Sequence, residues 1–269
     1  MIQIWKRMRR GRVIDQVGNR ESADPRFWLV AHRGWPDRYP ENSLEGLQAV
    51  LEAGARQVEF DVQISRDGQA MVIHDDDLSR LTGRNVRVTE SSRAELQALR
   101  VRSSSGATAA IPTLDDTLAL LGLYPDTTAF VELKRHSIDR HGLDRSVRCL
   151  LQILARAPCR VVLISFRWRA LRRARQLGSL PVGWVFKPWW VPARILADWL
   201  QPDYLFVRAD RIPGRTRPFW PGPWQWVVYG VHDLDQARDL RARGADLIEV
   251  DDLPALAAAG HPQAGSGTG

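Results

Sequence analysis

Lysine is almost missing from this chain of 269 residues. Only Lys6, Lys134 and Lys187 are present against 35 arginines, and the balance with acidic groups gives a net charge of +7. The basic residues are scattered through many segments and are not gathered on one recognition helix, which argues against a nucleic-acid partner and leaves attraction to phosphate on a small molecule or a membrane surface. Cysteine is as scarce. Cys149 and Cys159 form no Cys-x-x-Cys pair, which excludes a thiolate zinc site and a disulfide scaffold. Both read as reduced packing residues, which predicts a cytoplasmic protein. No apolar run reaches the roughly 18–20 residues of a membrane-spanning helix. The start, "MIQIWKRMRRGR", is basic and lacks an apolar core and a small-residue cleavage site, so no secretory signal is predicted. No His-x-x-x-His is present, and no Gly-x-Gly-x-x-Gly follows the first strand, which weakens a dinucleotide-binding reading.

Against these gaps stands a regular alternation of apolar runs and amphipathic segments. Strands are predicted over 28–33, 57–64, 70–74, 129–134, 160–166, 182–186, 204–207, 226–231 and 247–250, with helices such as 43–53, 113–121, 143–156, 168–177, 192–200 and 234–243 between them. Unbroken apolar runs such as "VVLIS" and "WVVYGV" suit a parallel sheet covered on both faces. The pattern predicts an α/β chain folded as a (β/α)8 barrel, with a doubly wound open sheet as the alternative. The expected division is a basic N-terminal extension over 1–25, a barrel over 26–258 and a disordered tail over 259–269. Two stretches break the rhythm. Residues 78–111 are polar and read as a small insertion, and 211–223 carry four prolines where a barrel helix should lie.

In such a barrel, polar groups at the C-terminal ends of strands are the candidates for chemistry. The first strand, in "FWLVAHRGWPDRYPEN", ends in His32 and Arg33. The second, "QVEFDVQIS", puts Glu59 and Asp61 on one face, and "AMVIHDDD" ends in His74. In "FVELK", Glu132 and Lys134 share a face. Buried carboxylates repel one another unless a cation joins them, and Glu59, Asp61 and Glu132 offer an all-oxygen set for a hard ion such as Mg²⁺ or Ca²⁺. Lys134 stands out in a chain so poor in lysine, since a compact ammonium suits a tight phosphate site.

The ordered series "HRG", "PEN", "EFDVQISRDGQAMVIHDDDLSRLTG", "IPTLDDTLALL" and "FVELK", with "GADLIEVDD" near the end, resembles the glycerophosphodiester phosphodiesterase family. The similarity is dense from about Val30 to Lys134 and returns near Val227–Asp252. It implies a (β/α)8 barrel with a short insertion after the second strand, and hydrolysis of a phosphodiester of glycerol to glycerol 3-phosphate and an alcohol with one divalent cation. By that resemblance Glu59, Asp61 and Glu132 hold the metal, His32 and His74 form the acid–base pair, and Arg33 and Lys134 contact phosphate. Gly34 lets the chain turn close beside the site, Glu41 braces the loop, and Asn42 begins the next helix as its N-cap.

The chain departs from the family where a Trp-Thr-Val-Asn run is usual, having Tyr229-Gly230-Val231-His232, which bears on the alcohol accepted. It is also rich in tryptophan, with 11 residues. Most read as barrel packing. A lipid-facing alternative sets Trp189, Trp190 and Trp220 beside Arg194, Arg215 and Arg217, and would favour lysophospholipids. Other readings are a lyase that leaves a cyclic phosphate and a barrel that binds phosphodiesters without turnover.

Overall fold

The computed structural model describes residues 22, 24–187, 189–214 and 218–260. Nearly all of the expected N-terminal extension and tail, together with Arg215 and Arg217, lies outside the described residues.

The strands are β1 (Leu29–His32), β2 (Gln57–Ile64), β3 (Ala70–Val72), β4 (Val101–Arg102), β5 (Thr108–Ala109), β6 (Thr128–Leu133), β7 (Arg160–Ser165), β8 (Val182–Phe186), β9 (Tyr204–Arg208), β10 (Gln225–Tyr229) and β11 (Leu247–Val250). Eight of them run parallel in the order β1, β2, β6, β7, β8, β9, β10, β11, and the sheet closes where Leu29 of β1 lies opposite Ile248 of β11. Closure settles the fold as a (β/α)8 barrel and rules out the open sheet. The helices are α1 (Leu44–Glu52), α2 (Ser79–Thr82), α3 (Arg93–Gln97), α4 (Leu114–Leu121), α5 (Arg135–His141), α6 (Leu143–Leu154), α7 (Trp168–Leu177), α8 (Val191–Leu200), α9 (Leu234–Ala242) and α10 (Leu253–Gly260).

The barrel interior is packed by rings. Phe130 of β6 meets Tyr204 and Phe206 of β9 edge to face at 5.1 and 5.3 Å. Gly183 on β8 makes room for them, because a Cβ there would lie 2.9 Å from the Phe206 ring and 2.8 Å from Ile164. Above this layer the inward positions become polar, and the site begins.

β3 turns back antiparallel on β2, with Val62 opposite Val72, and stops two residues short of His74, which the sequence placed at its end. The excursion that follows has a small core of its own, with Met71, Ile73, Leu78, Leu81, Val88, Leu96, Val101 and Ile111 in one cluster. Among the described residues between β9 and β10, a single 3-10 turn, Ala209–Arg211, stands where the barrel repeat calls for a helix. Aromatic rings cover the sheet there. Trp189 stacks on Trp226 at 5.2 Å and meets Trp220 at 4.5 Å, and Phe186 stacks on Trp220 at 5.7 Å. Trp189 and Trp220 are therefore held in a nest against the barrel, unlike the lipid-facing trio the sequence suggested; of that trio Trp190 alone is exposed. Cys149 and Cys159 are free thiols. Among the described residues, no helix is long and apolar enough to cross a membrane.

Candidate active site

The parallel register brings the strand-end groups together. His32 of β1 lies opposite Glu59 of β2, and Asp61 of β2 lies opposite Glu132 of β6. Side chains two apart on a strand share a face, so Glu59 and Asp61 both enter the barrel mouth, and Lys134 follows Glu132 just past the end of β6. His74 reaches the same cleft from the loop after β3. All seven residues singled out in the sequence are brought into one region: a cleft of about 130 Å³ is lined by His32, Arg33, Glu59, His74, Glu132 and Lys134, and Asp61 lies in its floor, bound to both Arg33 and Lys134.

Asp61 is the most heavily tied carboxylate. Arg33 Nε lies 2.9 Å from its Oδ2, Lys134 Nζ donates to its Oδ1 at 3.0 Å, and Asn42 Nδ2 donates to its Oδ2 at 3.0 Å. Burial alone would raise its pKa, but these two cations and the amide hold it far below the usual carboxylate range. The expected helix cap at Asn42 is corrected here. Asn42 sits at φ +63 and turns its amide onto Asp61, whose own N–H donates back to Asn42 Oδ1 at 3.0 Å. Ser43 caps α1 instead, its hydroxyl accepting from the N–H of Gly46. Glu41 does brace the loop, as a bridge between Arg33 at 3.1 Å and Arg80 at 2.8 Å.

Glu59 and Glu132 are less well served. Burial, reinforced by Asp61 and Glu249, pushes Glu59 well above its ordinary pKa, and burial also raises Glu132 although Lys134 lies 3.0 Å away. Glu59 Oε2 is buried with no hydrogen-bond partner. One oxygen from each of Glu59, Asp61 and Glu132 falls within 4.8 Å of the other two. Four buried carboxylates (Glu59, Asp61, Glu132 and Glu249) thus face two fixed cations, Arg33 and Lys134. A bound cation would offset the carboxylate charge that Arg33 and Lys134 do not balance. The donors are all hard oxygens, and the residues present fit Mg²⁺ or Ca²⁺.

The two histidines have opposite surroundings. His32 Nδ1 is 2.7 Å from Asp251 Oδ1, while its Nε2 lies 3.5 Å from Glu249 and 3.8 Å from Glu59. Burial lowers its proton affinity, but the Glu249 charge and the Asp251 hydrogen bond outweigh that, and the net shift is upward. His74 Nδ1 is tied to Asp75 at 2.7 Å. Its pKa is lowered, by burial first and then by Lys134 and Arg33, against the pull of Asp61 and Asp75. In each ring the carboxylate occupies Nδ1 and leaves Nε2 for other work.

Sequence reasoning missed Glu249 and Asp251. Both follow the rule that had flagged the other strands, lying two apart at the end of β11, but the final motif had been read only as a strand. Burial pushes Glu249 up to about 7, and the hydrogen bond from His32 holds Asp251 low. Beyond His74 and Lys134 the cleft opens into a groove of about 800 Å³, lined by Phe166, Val185 and Phe186 with Arg135, Arg167 and Lys187.

Residues 32–254 match the model of the glycerophosphoryl diester phosphodiesterase family. A glycerophosphodiester phosphodiesterase of Caldanaerobacter subterraneus subsp. tengcongensis is 27% identical over 240 residues, which is 85% of this chain and 95% of that protein. The structure is similar to that of an Oleispira antarctica phosphodiesterase in complex with the product sn-glycerol-3-phosphate, with a TM-score of 0.75 and 22% identity over 86% of this chain and 96% of that one. It is also similar to a glycerophosphodiester phosphodiesterase of Thermotoga maritima, with a TM-score of 0.69 and 22% identity over 86% and 97% of the two chains.

Proposed function

Because the chain belongs to the glycerophosphoryl diester phosphodiesterase family, we propose that it hydrolyses glycerophosphodiesters to glycerol 3-phosphate and an alcohol, with one divalent cation and the histidine pair His32 and His74. The observation that carries this reading is the convergence of three buried carboxylates, Glu59, Asp61 and Glu132, on the same cleft as two histidines whose Nε2 atoms are uncommitted to their Nδ1 partners.

A phosphodiester resists attack because its anionic oxygens repel the nucleophile, so the site must supply positive charge that grows in value toward the transition state. Arg33 and Lys134 bring two such charges, each anchored on Asp61. The cation held by Glu59, Asp61 and Glu132 would supply Lewis acidity to the phosphoryl group. Glu249 and Asp251 favour the protonated form of His32 against its burial, which suits it to give a proton to the leaving alcohol. Burial, with Lys134 and Arg33, favours the neutral form of His74 against the pull of Asp61, which suits it to accept the proton of the attacking hydroxyl. Asp251 and Asp75 fix the ring orientations. Glu249 adds negative charge beside His32 Nε2 and strengthens its hold on the proton.

The apolar lining of the groove, Phe166, Val185 and Phe186, supports a second reading in which a lysophospholipid is the substrate and its acyl chain lies along that wall. Peripheral contact with a membrane would suit such a substrate. Phosphorus NMR of reactions with glycerophosphocholine and with lysophosphatidylcholine tests both. Glycerol 3-phosphate from the first supports the leading proposal, and turnover of the second alone supports the alternative. A cyclic phosphate as final product would make the protein a lyase, and no product from either would leave a binding barrel.

A further inference from the structure

Six large apolar side chains are exposed among the described residues, and four of them fall within ten positions: Trp190 at 55%, Val191 at 71%, Ile195 at 63% and Trp199 at 54%. Val191, Ile195 and Trp199 recur every four residues and so form one stripe along α8. The other face of the helix, with Ala193, Ala197 and Leu200, is buried on the barrel. A helix that is apolar on its packed side and again on its open side marks a surface that something else covers.

The surroundings specify what fits. Trp168, the first residue of α7, meets Trp199 edge to face at 5.6 Å and extends the stripe. The Arg169 and Arg172 guanidiniums lie over the Trp168 and Trp199 rings, at 5.0 and 4.9 Å, and neither has a carboxylate partner among the described residues. Lys187, three residues before Trp190 in the chain, is exposed, with its ammonium over the Phe166 ring at 5.7 Å. α7 holds no acidic residue, and Asp198, the single acid of α8, is paired with Arg194 at 2.9 Å. Indole rings beside unpaired cations match the headgroup layer of a membrane, where an amphipathic ring has one edge in apolar surroundings and the cations meet lipid phosphate.

We propose that α8 is a membrane-docking helix, with Trp190, Val191, Ile195 and Trp199 entering the headgroup layer of an anionic phospholipid bilayer and Arg169, Arg172 and Lys187 pairing with lipid phosphates. The stripe begins shortly after the catalytic groove in the chain. β8 ends at Phe186, which lines that groove, and Trp190 is four residues further along the chain. Docking would set the groove beside the surface on which lysophospholipids reside; this clause rests on the function proposed above, whereas the docking itself does not.

The test is co-sedimentation of the full chain with vesicles of phosphatidylcholine alone or mixed with phosphatidylglycerol, at low and high salt, for the wild type, Trp190→Ser/Ile195→Ser and Arg169→Glu/Arg172→Glu. The wild type is expected to sediment with the mixed vesicles and to release as salt is raised. Each double variant should lose about tenfold or more in partitioning, from lost apolar burial in one case and lost lipid attraction in the other. Turnover of glycerophosphocholine should be alike in all three, which separates a failed docking proposal from a failed activity. Sedimentation of the variants equal to wild type, or none by the wild type, overturns the proposal. So does light scattering that shows a wild-type dimer split by Trp190→Ser/Ile195→Ser, since a second copy of the chain then covers the stripe.

Discussion

Nδ1 of His32 and Oδ1 of Asp251 stand 2.7 Å apart, although 219 positions separate them in the chain. Barrel closure makes the contact, because β1 and β11 are neighbours. The carboxylate orients the ring and helps it keep a proton. Replacing Asp251 with Asn removes that support, so the His32 pKa falls. The basic limb of the kcat/KM profile should move to lower pH, and kcat should drop by about tenfold or more while KM changes little. An unchanged basic limb would mean that Asp251 only packs.

Glu249 gives a prediction about stability. Its folded pKa of about 7 lies above the ordinary carboxylate value because of burial. Between those two values the folded chain holds more protons than the unfolded one, so this residue makes stability fall as pH rises toward 7. In EDTA, Glu249→Gln should flatten that fall and raise the unfolding free energy measured by urea denaturation at pH 8 relative to wild type, by on the order of 1 to 3 kcal/mol. At pH 4 the two proteins should differ little.

Cation binding should be visible without activity. Four buried carboxylates against Arg33 and Lys134 leave the folded site short of positive charge, and an ion that binds only the folded state stabilises it by about 2.7 kcal/mol at a hundred times its dissociation constant. For a chain of this size that is a rise of about 5 °C or more in melting temperature when Mg²⁺ or Ca²⁺ replaces EDTA. In Asp61→Asn the rise should be lost. An equal rise in that variant would place the ion elsewhere.

Gly34 should tolerate no side chain. Its φ is +86, and a Cβ would lie 2.6 Å from the backbone carbon of Gly46 in α1. Gly34→Ala therefore combines backbone strain with a clash that neither segment can relieve cheaply, at about 3 kcal/mol or more. Thermal denaturation measures it directly.

What could be read from the sequence follows from how local each feature is. The carboxylates of β2 and β6 were legible because alternation within one strand already puts Glu59 with Asp61, and Glu132 with Lys134, on common faces. The barrel itself was legible in the strand–helix alternation. Asn42 was misread because a residue before a helix is ordinarily its cap, and only the positive φ of the folded loop turns its amide to Asp61. Glu249 and Asp251 went unassigned because their partner, His32, lies at the other end of the chain and meets them only through closure. The tryptophans of 189–226 could be counted but not sorted: whether a ring enters the nest, as Trp189 does, or faces outward, as Trp190 does, depends on packing against a loop that replaces a helix.

The most direct test of the whole account is release of glycerol 3-phosphate from glycerophosphocholine, followed in Mg²⁺, in Ca²⁺ and in EDTA, for the wild type and His32→Ala. The account predicts turnover with at least one of the two ions, none in EDTA, and a loss of about a hundredfold or more in His32→Ala. Turnover that persists in EDTA, or that His32→Ala leaves intact, would contradict it.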